Sequence, residues 1–448
     1  MTKAGCDSGG EKKLKWWQLS MIGIGCIIGT GFFLGSSIAI KMTGPSVLIS
    51  FIIAATGTYL VFDALSKLAA SDPQKGSFCA YANQAFGRWA RFSCGWTYWC
   101  SELLIMGSQL TALSIFARFW FPSIPMWVFA SGFGILGIIV LLIGTKGFDK
   151  LEGLFAVTKV AAILMFIIIA LLALFGVIHG GGTKTRVPNM MNEFFPHGFR
   201  GLWSSLIYAF YAFGGIEIMG IMAIRLKNKE DAPKSGKLML LLLTIIYIIS
   251  VGLAVILVPL SRFNTKESPF VVALDKYHLP MIPDIFNAAL IVAGFSTMVA
   301  SLFAVTSILM TLSEDGDAPK AFSMQGKLKV PIPSLFLTIL VLGISIFLAL
   351  LMPGKIYEYV TTGAGLMLLY NWSFILLSSQ KLSKPKTMET VKRWTGILLI
   401  ALAVSGTLFE KATRPGFYIS LAFVGVIGAV AFLLKSFWDK EIIKSHLD

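Results

Sequence analysis

The sequence predicts an all-α protein that crosses a lipid bilayer many times, and three observations support this. Of its 448 residues, 56% are hydrophobic and 14% are charged, whereas soluble domains average about 25% charged residues. The mean hydropathy is +0.77. Long runs such as 160–178 and 238–260 carry no charge, and each is close to the roughly 20 residues that a helix needs to span a hydrocarbon core.

Twelve apolar stretches follow one another along the chain, and we predict one transmembrane helix in each. The spans are 18–40, 45–66, 92–117, 124–145, 154–178, 199–223, 238–260, 284–312, 333–352, 356–379, 395–409 and 415–437. The loops between them are too short to fold as separate domains. The predicted organisation is a tail (1–17), spans 1–5 (18–178), spans 6–10 (199–379), spans 11–12 (395–437) and a second tail (438–448).

The charge distribution predicts the orientation of the chain. The net charge is +15, which by itself would also suit a nucleic-acid-binding protein. With the first tail inside, however, the inner segments hold 26 Lys and Arg residues and the outer segments hold 11. This asymmetry follows the positive-inside rule and predicts that both tails are cytoplasmic. We therefore expect a multi-pass cell-membrane protein, monomeric and surrounded by lipid, without a nucleic-acid partner.

The chemistry-bearing residues do not suggest an enzyme. The five cysteines form no CxxC pattern, and the four histidines fall in loops or in the second tail. No paired nucleophile and base, and no cluster of metal ligands, occurs within the spans. We expect no enzymatic activity, no metal and no cofactor.

Glycines interrupt two of the predicted spans. Span 1 contains "GCIIGTGFFLGS" (25–36), and span 6 contains "YAFYAFGGIEIMG" (208–220). Glycine destabilises a helix interior by about 0.5–1 kcal/mol relative to alanine. Close helix packing through small residues would explain one such segment. Two at matching positions of two halves instead indicate broken helices at the binding site of a transporter, where free N–H groups favour an anion and free carbonyls favour a cation.

Four motifs carry a resemblance to a known family. In order and spacing, "IGTGFFLGS", "QKGSFCAYANQAFGRWARFSCGWTYW", "FYAFGGIEIMGI" and "EDGDAPK" resemble signature stretches of the amino-acid permeases of the amino acid–polyamine–organocation superfamily. The resemblance covers spans 1–10. It implies two inverted five-helix repeats, with helices 1 and 6 broken and two helices appended, that import amino acids together with protons or sodium.

The resemblance also implies a substrate site. The substrate carboxylate would meet backbone around the first break, and the amino group would meet carbonyls around the second: Gly29, Thr30 and Gly31, then Tyr211, Ala212, Gly214 and Gly215. Ile216 stands where many relatives have a large aromatic gate residue, which suggests a roomier pocket. Lys159 matches a lysine that many proton-coupled relatives carry on span 5.

The expected inner gate departs from the family pattern. Relatives commonly have Glu at the positions of Lys67 and Arg225, and Arg at the position of Ser307. Asp63 lies one helical turn before Lys67 and can pair with it. We therefore predict that the ion pairs of the inner gate differ from those of the family.

Three further polar residues lie within spans. Glu102 is a candidate for carrying a proton or recognising a cationic side chain, because an acid inside the membrane is costly; a structural hydrogen-bonding role is the alternative. Glu217 is predicted to cap backbone N–H groups where span 6 breaks. Gln109 is a candidate lining residue, although interhelical hydrogen bonding explains it equally well.

Together these features predict a secondary active transporter that imports neutral L-amino acids by alternating access, driven by a proton gradient. Sodium coupling and exchange remain open, because Ser296, Thr297 and Ser301 stand where sodium-coupled relatives place hydroxyl ligands. An amino-acid sensor that binds without transporting is a second alternative.

Overall fold

The computed structural model describes residues 13–74, 76–143, 145–178, 190–223, 226–275, 277, 279–324, 332–351, 355–383 and 385–445. Throughout these ranges the regular structure is helical, apart from one backbone bridge between Leu14 and Leu226. Arg225, which was predicted to belong to the inner gate, lies outside the described residues.

Most helices overlap a predicted span. In the first half they are α1 (Trp16–Ile27), α2 (Thr30–Phe33), α3 (Gly35–Thr43), α4 (Val47–Ser71), α5 (Phe78–Phe86), α6 (Arg88–Ala117), α7 (Met126–Ile143) and α8 (Thr145–Leu174). In the second half they are α9 (Met191–Phe194), α10 (Gly198–Tyr211), α11 (Ile216–Met222), α12 (Ala232–Leu257), α13 (Pro269–Asp275), α14 (Ile282–Glu314), α15 (Ile332–Leu351), α16 (Ile356–Leu382), α17 (Thr387–Gly406) and α18 (Arg414–Ser445). However, α8 begins nine residues and α17 eight residues before the predicted start, and the short helices α5, α9 and α13 lie between spans.

Nine helical segments within the described ranges are long and apolar enough to cross a membrane, and two shorter apolar helices accompany them. Only helices satisfy their own backbone groups in hydrocarbon, so the apolar runs of the sequence became helices. The described part of the chain is therefore that of a helical, multi-pass membrane protein.

Both glycine-rich spans are broken. Between α1 and α2, Gly29 is extended, with φ −151° and ψ −164°. Between α10 and α11, Gly215 has φ +109°, a conformation that glycine adopts without steric cost. A Cβ at Gly215 would lie 3.3 Å from Cγ1 of Ile27, so the two breaks lie against each other.

The ends of the helices define two faces of the bundle. We call the side where α1 and α6 begin and α14 ends the tail face, and the opposite side the far face. On the tail face, Asp317 is fully buried and accepts hydrogen bonds from Arg88 Nε (3.2 Å) and Arg91 Nε (2.8 Å). The Trp96 indole donates to the Asp317 carbonyl (3.1 Å). These contacts hold the tail-face ends of α6 and α14 together.

Candidate functional site

A cavity of about 400 Å³ lies where the two helix breaks face α6 and α14. Each of these helices and breaks lines the cavity with residues of one face. The lining includes Ile22, Cys26, Gly29, Thr30 and Gly31 of the first break, Tyr98, Glu102, Ile105 and Gln109 of α6, Lys159 of α8, Tyr211, Gly214, Gly215, Ile218 and Met222 around the second break, and Ser296, Thr297, Ser301, Phe303 and Ser307 of α14.

The first break exposes polar groups to this cavity. The first N–H groups of a helix have no intrahelical partner, and α2 begins at Thr30 beside the cavity. The Thr30 side chain is completely buried, and its Oγ1 has no hydrogen-bond partner among the described residues. An unpaired buried hydroxyl costs about 1–3 kcal/mol, so this corner of the cavity suits a hydrogen-bonding ligand.

Lys159 lies at the other end of the same break. Its side chain is 1% exposed, and its Nζ donates to the carbonyl oxygen of Gly25 at 2.9 Å. In an uninterrupted helix that carbonyl would accept from the N–H of Gly29. The break frees it, and a cation is favourable at the carbonyl end of a helix. The ammonium thus joins α8 to the end of α1, and does not extend back to the membrane surface.

Only some of the residues predicted to bind substrate at the second break line the cavity. Tyr211, Gly214 and Gly215 line the cavity, whereas Ala212 and Ile216 do not. The carbonyl of Ala212 accepts from the Tyr247 hydroxyl at 3.1 Å, and that of Tyr211 accepts from Gly214 N–H at 3.0 Å. Ile216 is fully buried because α11 restarts there with its side chain packed inside the bundle.

Glu217 stabilises the restart of α11. Its side chain is 1% exposed; Oε1 accepts from the Gly215 N–H and Oε2 from the Trp372 indole, both at 3.2 Å. Acidic groups are favourable at helix N-termini. The carboxylate therefore fixes the second break to α16 and does not line the cavity.

Helix α6 presents two polar side chains to the cavity, seven residues apart. The Glu102 carboxyl lies against the hydroxyls of Tyr98 and Ser301. Gln109 is 7% exposed, and its Oε1 has no partner among the described residues. The neighbouring Ser108 hydroxyl hydrogen-bonds the Tyr211 hydroxyl at 2.7 Å, which places Gln109 level with the two breaks.

The cavity opens towards the tail face. Phe32 and Phe33, on the far-face side of the first break, are completely buried, and Phe32 stacks on Tyr247 with ring centroids 3.8 Å apart. The Tyr357 hydroxyl also donates to the Thr30 carbonyl at 3.0 Å. At the tail-face end of the wall, by contrast, Ser307 is exposed.

Lys67 and Asp63, two residues of the expected inner gate, belong to a separate charged cluster. Lys67 Nζ lies 2.9 Å from Asp63 Oδ2 and 2.9 Å from Glu389 Oε1, and so joins α4 to α17. Arg393, which is 4% exposed, lies 4.0 Å from Glu389. The hydrogen bond from Lys67 holds the pKa of the Glu389 carboxyl below its usual range. None of these four residues lines the cavity.

Several site residues were not singled out from the sequence. Tyr98 lies four residues before Glu102 on the same helix face, so the helical period was the signal that could have identified it. Cys26 and Tyr357 carried no local signal of their own. Trp372 reaches Glu217 across 155 positions of the chain.

Comparison with known proteins identifies what the chain is similar to. A family model described as "Amino acid permease" matches residues 18–438. The chain is 58% identical over 422 residues to the uncharacterized transporter YcgH of Bacillus subtilis, covering 94% of this chain and 95% of the relative. It is 31% identical over 440 residues to the aromatic amino acid transport protein AroP of Corynebacterium glutamicum (92% and 95% covered). With AroP of Escherichia coli K12 it shares 29% identity over 449 residues (97% and 98% covered).

Proposed function

Because the chain belongs to the amino acid permease family, we propose that it imports neutral L-amino acids across the cell membrane by alternating access, in symport with protons. The observation that carries the proposal is the cavity at the two helix breaks, where the buried Thr30 Oγ1 and Gln109 Oε1 both lack partners among the described residues. One is a hydroxyl that can donate and the other is a carbonyl oxygen that can only accept. A zwitterion supplies both complementary groups.

The substrate carboxylate would bind at the first break. The free N–H groups at the start of α2 and the Thr30 hydroxyl are donors on that side of the cavity. The ammonium group would bind opposite, at Gly214 and at Gln109 Oε1. The carbonyls of Tyr211 and Ala212 are less suited to it, because each already accepts a hydrogen bond within the protein.

The substrate side chain would lie along the more apolar part of the wall. Ile105, Ile218 and Phe303 line it, and apolar walls favour a neutral ligand. Two relatives are named as aromatic amino acid transport proteins. A cavity of about 400 Å³ falls within the range of about 300–1,000 Å³ typical of small-molecule sites, so aromatic amino acids are the first substrates to test.

Lys159 is the proposed coupling residue. When protonated, its ammonium bonds the Gly25 carbonyl and holds the end of α1 against α8. A neutral amine binds the free carbonyls at a helix end more weakly than an ammonium does. Proton release would therefore loosen α1, and rebinding would restore the contact. Glu102, on the same cavity, is a second group that can carry a proton between the site and the tail face.

The orientation completes the proposal. The excess of Lys and Arg on the tail-face segments supports placing that face, with both tails, in the cytoplasm. The cavity would then be open to the cytoplasm, ready to release substrate. Spans 1–5 and 6–10 would form two inverted repeats whose broken helices meet at the site, an arrangement typical of secondary transporters.

Uptake and counterflow of labelled amino acids in proteoliposomes test the proposal. We expect exchange of a preloaded neutral amino acid, uptake driven by a proton gradient, and strong competition from ligands that carry both charged groups. Amino-acid amides and N-acetylated amino acids should compete at least tenfold more weakly, since losing one good bond to a charged group costs about 1.5–3 kcal/mol. Binding without counterflow would indicate a sensor, and equal competition by the amide would contradict the two-break site.

A further inference from the structure

Two thiols face each other on the tail face, outside the substrate cavity. The Sγ of Cys79 on α5 donates towards the Sγ of Cys94 on α6, with the sulfur atoms 3.6 Å apart. The Cys94 thiol in turn donates to Oδ1 of Asn371 on α16, at 3.5 Å. Both cysteines are reduced in the structure.

The local fold explains why the thiols meet. Helices α5 and α6 are separated by a single residue, Gly87, whose φ is +87°. The two helices pack against each other on either side of this turn. Cys79 lies eight residues before Gly87 and Cys94 seven residues after it, so near-equal distances from the turn bring the two side chains together.

The two thiols differ in exposure. Cys94 is completely buried, whereas Cys79 is partly exposed. A small oxidant therefore meets Cys79 first, and the nearest thiol to the oxidised sulfur is Cys94. Susceptibility to oxidation follows thiolate character and exposure, and reversible sites often have such a resolving cysteine beside them.

We propose that Cys79 and Cys94 are a reversible oxidative modification site that takes up two-electron peroxide oxidants and closes to an intramolecular disulfide. The Cys79 thiolate attacks one oxygen of the peroxide, the O–O bond breaks, and Cys79 becomes a sulfenic acid while hydroxide leaves. The Cys94 sulfur then attacks the Cys79 sulfur, and the sulfenic hydroxyl leaves as water with the Cys94 proton. Overall, two thiols and one hydrogen peroxide give one disulfide and two waters.

The bond would require only a short movement. A disulfide has an S–S length of about 2.05 Å, so the sulfur atoms approach by about 1.5 Å from the observed separation. Closure removes both S–H donors and leaves Asn371 Oδ1 without the Cys94 bond. The covalent link then holds α5 rigidly on α6.

The position of α5 connects this link to the cavity. Phe78 packs edge-on against Tyr98, with ring centroids 4.9 Å apart, and Tyr98 lines the cavity. The adjoining Ser77 reaches the other wall, because a Cβ at Gly220 of α11 would lie 3.1 Å from its Oγ. Fixing α5 to α6 would therefore restrain movement between α11 and α6 at the tail-face opening. This functional consequence rests on the proposed transport activity, whereas the chemistry at the two thiols does not.

Thiol titration of the full-length protein in proteoliposomes tests the site. The chain has five cysteines, so after hydrogen peroxide treatment and denaturation the alkylatable thiols should fall from five to three and return to five with dithiothreitol. Peptide mass spectrometry should find the peptides of Cys79 and Cys94 joined. Cys79→Ser removes the partly exposed thiol and should show no joined peptides, whereas Cys100→Ser, which changes another thiol on α6, should form the bond as the wild type does.

Uptake measured on the same samples tests the consequence. Peroxide should reduce uptake by the wild type and by Cys100→Ser at least fivefold, reversibly, and leave Cys79→Ser unchanged. If peroxide leaves both thiols alkylatable, or joins other cysteines instead, the site is refuted. If the bond forms and uptake is unchanged, the restraint on the opening is refuted. If the wild-type protein shows no uptake even before peroxide treatment, with its thiols reduced, that result counts against the transport proposal alone. The thiol titration does not depend on transport.

Discussion

A single methyl group at Gly31 should impair substrate binding, because the two helix breaks touch there. An alanine Cβ at this position would lie 2.8 Å from Cδ1 and 2.9 Å from Cε1 of Tyr211. Optimal contacts between carbon atoms are about 3.5–4.0 Å. The Tyr211 ring would have to move by about 0.6–1.2 Å, or the start of α2 would have to move away from the second break.

The cost follows from how Tyr211 is held. The side chain is 7% exposed, and its hydroxyl bonds Ser108 at 2.7 Å. Overpacking of a filled site costs about 1–3 kcal/mol, and every 1.4 kcal/mol changes an equilibrium constant tenfold. Because the strain falls on the two backbone segments that the substrate would bridge, we expect Gly31→Ala to weaken apparent substrate affinity, by up to about 150-fold where the bound state bears the whole cost.

Gly35→Ala is the matched control, four residues further along the same broken span. Its Cβ would meet nothing closer than 3.9 Å, at Tyr208 Cδ1 and the Tyr357 hydroxyl. The same change within a helix, without a clash, is stabilising by about 0.5–1 kcal/mol. Half-saturation of counterflow, measured beside the amount of correctly folded protein, should be near wild type for Gly35→Ala and strongly raised for Gly31→Ala.

The reasoning would be refuted if Gly31→Ala kept wild-type half-saturation at normal expression. It would equally be refuted if both variants lost affinity to the same extent, because glycine content and not the contact with Tyr211 would then be responsible.

Three other predictions concern coupling, stability and orientation. Uptake should rise as external pH falls and need no sodium, and Lys159→Met should abolish that pH response; a retained response, or uptake that tracks a sodium gradient, contradicts the coupling role. Glu389→Gln should lower the free energy of unfolding at neutral pH by about 0.2–1 kcal/mol, as expected for a partly exposed ion pair. Since pairing with Lys67 lowers the Glu389 pKa in the folded state, this stabilisation is present above the ordinary glutamate pKa and is lost as pH falls through the lowered one; thermal unfolding at several pH values checks it, and a deficit that persists in acid counts against it. Finally, an external protease should leave residues 444–448 intact in right-side-out cells, and their removal would overturn the assigned topology.

The helical spans and the positions of both breaks could be predicted because they depend on local sequence. A bilayer requires continuous apolar helices, and "IGTG" and "FGGIE" weaken two of them where the structure is broken. The depth of Lys159 could also be predicted, since seven residues of helix separate it from Glu152. Its contact with Gly25 could not, because the contact joins residues 134 positions apart.

The composition of the wall was harder to predict than the location of the breaks. Family resemblance pointed to the carbonyl of Ala212, but a distant hydroxyl on Tyr247 already occupies that carbonyl. Ile216 was expected at the pocket and is packed away from it. Each difference arises from packing between helices that are far apart in sequence, and the local pattern of a single sequence carries no signal of such contacts.

The two walls of the cavity opening differ in stiffness. On one side, the buried Asp317 and its two arginine partners clamp the tail-face ends of α6 and α14 together. On the other side, α1 and α11 are attached to the rest of their spans through the non-helical residues Gly29 and Gly215. Because the ends of α6 and α14 are held together, a change in the width of the cavity opening must occur by bending at Gly29 and Gly215. We therefore expect the cavity to open and close by a hinge motion of α1 and α11, while the α6–α14 pair stays fixed.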